Sequence, residues 1–248
     1  MRVGRRVRAT ASVAVAFMFC CACAPAGPAR AGGDDEISRI ILFSGRDLWR
    51  NGAFACGGML YAPNGFEQDG LLFKLLVSGG LYRYNAGSLG GDEVVGAELL
   101  VQALPGFRVT RNHFEAKVFF GPEYENHRLW PDDPGNKLRG PAFGLRAAVE
   151  LWDEPTPTSM LAADASLSTV GGNYSARAAV GWRVFDKQFY VGPETQVYGG
   201  DGYAQWRVGI HFTSLKTGDA EWSAAGGWAI DSDNRSSPYL RLGFMRRQ

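Results

Sequence analysis

The sequence predicts an all-β fold, an antiparallel up-and-down outer-membrane β-barrel of about 12 strands. Three observations support this prediction. Segments of roughly ten residues alternate apolar with polar or small side chains. The chain contains 33 glycines and 12% aromatic residues, a composition suited to tight turns and close strand contacts. The connections between the segments include both very short turns and longer loops, as in bacterial outer-membrane barrels.

The alternation is clearest in Tyr174–Val184, where the even positions are apolar and the odd positions are polar, charged or small. Residues 143–151 and 204–212 repeat this pattern. A period of two places the two sets on opposite faces of a strand. No segment has a comparable helical period, so these segments are predicted strands with one apolar face.

Extension of this pattern along the chain gives an even number of segments, each about as long as a tilted membrane-spanning strand requires. The predicted strands lie near residues 38–49, 53–62, 70–84, 93–109, 114–124, 141–152, 159–169, 174–185, 188–198, 203–214, 220–230 and 238–246. From a periplasmic N-terminus, short turns are expected on the periplasmic side at 110–113, 186–187 and 215–219. Longer connections are expected on the extracellular side at 85–92, 125–140 and 231–237.

Residues 1–31 have the pattern of a secretory signal peptide. The basic start MRVGRRVR precedes a short apolar run, Ala9–Ala24, and Ala29-Arg30-Ala31 supplies a cleavage pattern of small residues. Residues 32–248 are then one β-barrel domain of an exported protein. The net charge of +1, from 26 basic and 25 acidic residues, gives no field that would attract nucleic acid.

The second face of the predicted strands carries charges of both signs. In a closed barrel this face lines the lumen, where mixed charges favour a network of ion pairs over an open pore selective for one sign. The predicted lumen charges are Arg108, Glu123, Arg146, Glu150, Arg177, Arg183, Glu194 and Arg207. A turn centred on 186–187 would make Arg177 and Glu194 near-diagonal neighbours.

No catalytic residue, metal site or cofactor is predicted. The chain has three histidines, His113, His127 and His211, and none has metal-ligand spacing to another ligating side chain. The stretch from 126 to 141 is the strongest candidate for ligand contact. Its aromatic ring can pack against the apolar face of a sugar, and its charged and amide groups can bond sugar hydroxyls. The predicted ligand-binding residues of this extracellular loop are Arg128, Trp130, Asp132, Asp133, Asn136, Lys137 and Arg139. An ordinary polar turn built on Asp-Pro-Gly is the alternative.

Two other classes of protein stay open at this point. The same alternation fits a soluble periplasmic β-barrel binding protein whose apolar face points inward, because a period of two does not show which face meets water. An outer-membrane enzyme that acts on lipid or polysaccharide is the other alternative. Strand length and loop asymmetry favour the outer membrane over the periplasm.

Several long segments together resemble the cellulose biosynthesis protein BcsS family. They include LFSGRDLW (Leu42–Trp49), HRLWPDDPGNKLRG (His127–Gly140) and YSARAAVGWRVF (Tyr174–Phe185). The resemblance implies an accessory protein of the bacterial cellulose synthase machinery, located in the outer membrane. We therefore expect a non-enzymatic accessory protein of cellulose biosynthesis or export, with outer-membrane lipid as a neighbour and cellulose or cellulose synthase accessory proteins as candidate partners. It carries over no catalytic residues.

Overall fold

The computed structural model describes residues 38–185 and 188–248, so the predicted signal peptide at 1–31 lies outside the described residues. The described residues form twelve antiparallel strands that close into one barrel, each strand pairing with its neighbour in sequence and β1 pairing with β12. The strands are β1 (Ile40–Trp49), β2 (Gly52–Tyr61), β3 (Gly70–Ala86), β4 (Asp92–Arg111), β5 (Phe114–Trp130), β6 (Gly140–Thr156), β7 (Ser159–Ser168), β8 (Tyr174–Val184), β9 (Phe189–Gly200), β10 (Tyr203–Thr217), β11 (Ala220–Asp231) and β12 (Ser236–Arg247). This confirms the predicted fold class and strand number.

Helical structure is confined to one 3-10 turn at Gly87–Leu89 within the described part of the chain. No helix among these residues is long and apolar enough to cross a membrane.

The predicted end of β5, at residue 124, is six residues too early. The loop expected at 125–140 is shorter, because β5 continues to Trp130 and only residues 131–139 connect it to β6. Glu125 and His127 are polar but lie on the inward face and are buried, so the period of two continues through them. Their polarity marks the barrel interior and not the start of a loop.

The connections divide between two ends of the barrel. The loop end carries the connections at 50–51, 87–91, 131–139, 169–173, 201–202 and 232–235. The terminal end holds both ends of the barrel domain and the short turns at 112–113, 157–158 and 218–219. The turn expected at 186–187 lies outside the described residues. The terminal end also holds a long connection at 62–69, so the two ends differ less in loop length than the short turns alone indicate.

The apolar face of the strands points outward. Trp182, Trp206 and Trp228 are 53%, 58% and 57% exposed, although all three are large apolar side chains. Other large apolar side chains are exposed all around the wall, among them Leu42, Leu75, Val118, Phe143, Leu161, Val208 and Leu242. A water-soluble barrel would bury this face, whereas a lipid-facing wall exposes it. The fold is therefore that of an outer-membrane β-barrel.

The interior has apolar clusters at both ends, and polar side chains together with a smaller apolar cluster lie between them. The cluster at the loop end includes Trp49, Phe54, Tyr82, Leu138, Val170 and Tyr239. The cluster at the terminal end includes Ile41, Phe66, Leu72, Leu104, Phe119 and Met245. Along β4, buried Glu98 and Gln102 lie between the two clusters. Leu138 and Phe66 come from connections, so a loop packs into each end of the barrel.

The contact between β8 and β9 leaves no room for a side chain at Gly192. A Cβ there would overlap the backbone carbonyl oxygen of Val180, and backbone cannot move aside as a flexible side chain can. We expect Gly192→Ala to lower the free energy of unfolding by about 1–3 kcal/mol. The measurement is the urea midpoint of the heat-modifiable gel shift of the folded barrel.

Gly57→Ala on β2 is the matched control, because the nearest atom to its added Cβ is 3.8 Å away. A Gly192→Ala midpoint equal to that of the control would contradict the close approach of β8 and β9.

Candidate functional site

Charged side chains from four strands meet at Glu194 inside the barrel. Its carboxylate accepts hydrogen bonds from Arg241 Nη2 at 2.6 Å and from the Tyr239 hydroxyl at 3.0 Å. Arg177 Nη1 lies 3.5 Å from Glu194 Oε2, which confirms the expected diagonal contact, and Arg177 Nε donates to Asp164 at 2.7 Å. Because β9 and β12 are not neighbours in the sheet, the contact between Glu194 and Arg241 crosses the lumen.

A second crossing joins β10 to β1. Arg207 Nη1 donates to both carboxylate oxygens of Asp47, at 2.8 and 3.0 Å, and the two side chains are almost fully buried. The guanidinium also lies against the rings of Trp49, Tyr198 and Tyr239, with 4.7–5.3 Å to the ring centroids. These contacts replace the water that a buried cation loses.

Two further groups of charges fill the side of the barrel formed by β3 to β6. Arg146 donates to Glu123 at 2.5 Å, and Lys74 donates across the lumen to Glu150 at 2.5 Å. Nearer the terminal end, Arg108 pairs with Glu115 at 2.7 Å. Arg108 also donates to the carbonyl of Phe66, so it fastens the 62–69 connection inside the barrel.

The structure places all eight predicted lumen charges on the inward face. Six of them are 5% exposed or less: Arg108, Glu123, Arg146, Arg177, Glu194 and Arg207. The side chain of Glu150 is 17% exposed. Arg183, 27% exposed, lies towards the terminal end and donates to the Tyr190 hydroxyl at 2.8 Å.

Sequence reasoning missed other inward charges, notably Asp47, Lys74, Glu98 and Glu125. Asp47 follows Arg46, and alternation allows only one of two adjacent residues to face inward. Lys74 lies in the run LLFKLL, whose neighbours on both sides are apolar. They could have been found because each occupies one of the alternate positions of its strand that face inward.

A histidine and two glutamates lie beneath the loop-end cluster. His127 Nδ1 is 3.2 Å from the Tyr82 hydroxyl, and His127 Nε2 is 3.3 Å from Glu125 Oε2. Glu125 Oε1 and Glu98 Oε2 are buried without a hydrogen-bond donor among the described residues. Since His127 and Glu125 are at most 2% exposed, no substrate reaches this pair in this conformation.

The other two histidines have separate surroundings. His211 is buried and contacts the Thr213 hydroxyl and the Val180 carbonyl, whereas His113 lies at the terminal end, 2.5 Å from Asp153. No group of three or more His, Cys, Asp or Glu side chains in the described ranges has a geometry that could hold a metal ion.

The 131–139 loop folds onto the mouth of the barrel. Asp133 accepts hydrogen bonds from the Tyr84 hydroxyl at 2.8 Å, from the Ser88 hydroxyl and from the Gly135 N–H at 2.9 Å. Asn136 donates to the Tyr84 hydroxyl at 3.0 Å and accepts from the Leu138 N–H at 2.9 Å. Leu138 then inserts into the loop-end cluster. The loop is therefore held from inside the barrel.

This arrangement divides the predicted ligand-binding residues. Asp133 and Asn136 are 2% exposed and bond within the loop and to β3, so they do not face solvent as a binding loop would require. The carboxylate bonds its own backbone two residues on, as Asp does in turns. Five of the predicted residues remain exposed, and we call them the loop-end rim: Arg128, Trp130, Asp132, Lys137 and Arg139.

The loop-end rim combines an aromatic side chain with charges. Trp130 is 55% exposed and, with Arg128, lies on the outward face at the end of β5. Arg139 pairs with Asp132 at 2.7 Å, and Lys137 pairs with Asp201 of the 201–202 connection at 2.9 Å. These exposed pairs are weak individually. The Arg128 side chain has no ion-pair partner within residues 38–185 and 188–248.

Comparison with protein families assigns the chain. The family described as cellulose biosynthesis protein BcsS matches residues 41–248, which is nearly all of the barrel. The chain belongs to the BcsS family. No curated protein matches the sequence of this BcsS family member.

Three solved structures are similar in fold to this family member at low sequence identity. The KdgM porin, in complex with disordered oligogalacturonate, is 10% identical with a TM-score of 0.45, over 83% of this chain and 98% of the porin. LpxR from Salmonella typhimurium is 11% identical with a TM-score of 0.47, over 84% and 99%. The translocator domain of autotransporter NalP from Neisseria meningitidis is 11% identical with a TM-score of 0.48, over 87% and 90%.

Reversal of the charge at Glu194 tests the network inside the barrel. In Glu194→Lys a third cation would lie beside Arg177 and Arg241, and both arginines would lose a buried partner. We expect a loss of about 3–5 kcal/mol in the free energy of unfolding. The urea midpoint of the heat-modifiable gel shift measures it.

Glu93→Lys is the control, because Glu93 is 58% exposed and its pair with Arg83 is 3.7 Å long. An unchanged midpoint in Glu194→Lys would show that the network contributes nothing to stability.

Docking of the 131–139 loop should depend on pH through Asp133. Burial opposes ionisation, but hydrogen bonds from Ser88 and Tyr84 outweigh it and hold the pKa of the Asp133 carboxyl below its ordinary 3.8. A lowered folded-state pKa stabilises the docked loop fully above pH 3.8, and this contribution is lost as the pH falls through the folded-state pKa. We expect the Gly135 and Leu138 amides to lose hydrogen-exchange protection in that acidic range.

Asp133→Asn should weaken protection at neutral pH and remove its acid dependence. Exchange is measured by mass spectrometry with correction for intrinsic rates. Protection in the wild-type loop that persists unchanged well below pH 3.8 would be inconsistent with this role of Asp133.

Proposed function

We propose that this chain is a non-enzymatic accessory protein in the outer membrane that serves cellulose biosynthesis or export and contacts glucan or an envelope partner at its loop end. Membership of the BcsS family supports the link to cellulose. The outward apolar wall supports the location in the outer membrane in preference to the soluble periplasmic alternative. Residues 1–31 would direct the chain to the envelope.

The observation that carries the proposed contact is the exposed loop-end rim on a loop fixed from inside. The Trp130 ring can pack against the apolar face of a sugar, while Arg128, Asp132, Lys137 and Arg139 can bond sugar hydroxyls. Asp133, Asn136 and Leu138 hold the loop in place, so binding does not have to order it. Affinity at such a preformed surface requires fewer contacts.

The interior supports an accessory role over a conduit. Ion pairs such as Lys74 with Glu150 cross the lumen, and the connections bearing Phe66 and Leu138 pack into its two ends. A glucan chain could pass only if several buried ion pairs were broken at once, each at a cost of several kcal/mol. The burial of His127 and Glu125 likewise favours a non-enzymatic role over an outer-membrane enzyme.

Substitution of Trp130 tests the glucan contact. We expect Trp130→Ala to weaken binding of cellopentaose about tenfold, because removal of a central aromatic side chain typically removes at least that share of affinity. Stability should change little, since the ring is largely exposed. Binding is measured by titration calorimetry on the detergent-solubilised barrel, and exported cellulose is measured in a deletion strain that carries the variant.

Trp206→Ala is the matched control, as Trp206 is similarly exposed on the wall far from the rim. Equal cellopentaose affinity in wild type and Trp130→Ala would exclude the rim as the glucan site. Unchanged cellulose output after deletion of the gene would exclude the accessory role, and turnover of added lipid or polysaccharide by the purified barrel would favour the enzyme alternative.

A further inference from the structure

The outward face of β1 carries a cation among apolar side chains. Asp47 points inward to Arg207, so the adjacent Arg46 points outward, on the same face as exposed Leu42 and Leu48. Within the described part of the chain, Arg46 has no hydrogen bond or ion pair. A cation on a lipid-facing wall is costly unless a polar group meets it.

Two more arginines lie on the same side of the barrel, about 13 Å further along the strands towards the loop end. Arg50 is exposed in the turn between β1 and β2, and its side chain has no partner among the described residues. Arg83 is exposed on β3, and its backbone N–H donates to the carbonyl of Asn51, in the turn that contains Arg50, at 2.8 Å. Glu93 lies 3.7 Å from Arg83, but both side chains are more than half exposed, so this contact neutralises Arg83 weakly. We call Arg46, Arg50 and Arg83 the arginine wall.

The depth of Arg46 matches that of two aromatic residues elsewhere on the barrel. Arg46 lies three residues before the end of β1, Trp228 lies three residues before the end of β11, and Trp206 lies three residues after the start of β10. Outward tryptophans near strand ends mark the boundary between lipid tails and headgroups. Arg46 therefore lies at the level of lipid headgroups, and Arg50 and Arg83 lie nearer the loop end.

The surface between β1 and β3 is shallow. Ala53 and Ala55 lie on the outward face of β2, with Ala55 opposite Arg46 on one side and Gly79 on the other. Exposed Leu48 and Leu81 flank these small residues. This shallow surface lies level with Arg46 and towards the loop end, so a lipid headgroup can lie on it and reach the Arg46 guanidinium.

The wall formed by β10 and β11, beyond β12 on the other side of β1, differs at the same level. Trp206, Trp228 and exposed Ile230 provide aromatic and apolar anchors there. The cation nearest to them, Arg235, pairs with Asp231 and Asp233 at 2.9 and 2.8 Å. The β1–β3 side therefore carries two cations without a close partner in the described part of the chain, Arg46 and Arg50, whereas the cation beside Trp228 is neutralised within the protein.

We propose that the arginine wall is a binding site for a phosphorylated membrane lipid, with Arg46, Arg50 and Arg83 along its phosphorylated headgroup and the headgroup on the surface of Ala53 and Ala55. Guanidinium groups match phosphate oxygens with paired, charge-assisted hydrogen bonds. The phosphate supplies the negative charge that Arg46 and Arg50 lack within the protein. This inference rests on the location in the outer membrane, and it is independent of any role in cellulose production.

Native mass spectrometry of the detergent-solubilised barrel tests the site, with bisphosphorylated lipid A and its phosphate-free form as probes. We expect the wild type to retain the phosphorylated form and to bind the phosphate-free form at least tenfold more weakly. Each arginine near a charged lipid contributes about a fivefold gain in affinity, so Arg46→Gln with Arg83→Gln should weaken binding about thirtyfold.

Arg246→Gln is the matched control. Arg246 is an exposed arginine at the terminal end of β12, 53% accessible and 3.7 Å from Asp219. Its lipid binding should equal that of the wild type. Ala55→Phe, which changes no charge but covers the shallow surface, should also reduce binding and serves where the double variant does not fold.

Each outcome decides the proposal. Equal retention of lipid A by the wild type and the double variant, or equal binding of the two lipid forms, would overturn it. Displacement of the lipid by millimolar inorganic phosphate would show a site for free phosphate and not for a lipid. Because binding is measured on purified barrel, failure here leaves the cellulose proposal and its deletion test untouched.

Discussion

Closure of the sheet in an apolar surrounding is the constraint on which the rest of the structure depends. Lipid offers no hydrogen bonds to the backbone, so every strand needs a partner on both sides. The pairing of β1 with β12, from Ile41 opposite Arg247 to Trp49 opposite Tyr239, removes the last open edge. Closure then assigns the apolar parity of each strand to lipid and leaves the polar parity inside a narrow lumen.

The enclosed polar face in turn determines how the lumen is filled. Charges that cannot reach bulk water need partners, and in a narrow barrel those partners can come from strands that are not neighbours in the sheet. Arg207 reaches Asp47 across two intervening strands, and Glu194 reaches Arg241 in the same way. These ion pairs cross-link the barrel wall from inside. They fill the lumen, so the outer wall and the loop end are the surfaces where other molecules can bind.

The sequence predicts what has a local period and misses what depends on distant contacts. Alternation identifies the outward face of β8 and β10 because every second residue is apolar. It fails at the end of β5, where inward Glu125 and His127 resemble the start of a polar loop. The burial of Asp133 also could not be predicted, since it depends on Tyr84 and Ser88, which lie more than forty positions earlier in the chain. The local sequence around Asp133 gives no information about these distant partners.

The loop-end rim and the arginine wall use the same rigid barrel in different ways. At the rim, the anchors face inward through Asp133 and Asn136, so Trp130 is presented without a flexible loop that binding would have to order. On the wall, Arg46 has an inward neighbour, Asp47, already bound to Arg207, so the strand cannot shift its register by one residue to take Arg46 out of the lipid. Such a shift would place Asp47 in lipid and leave Arg207 without its partner. The internal network therefore fixes Arg46 on the outside, where an external anion can neutralise it.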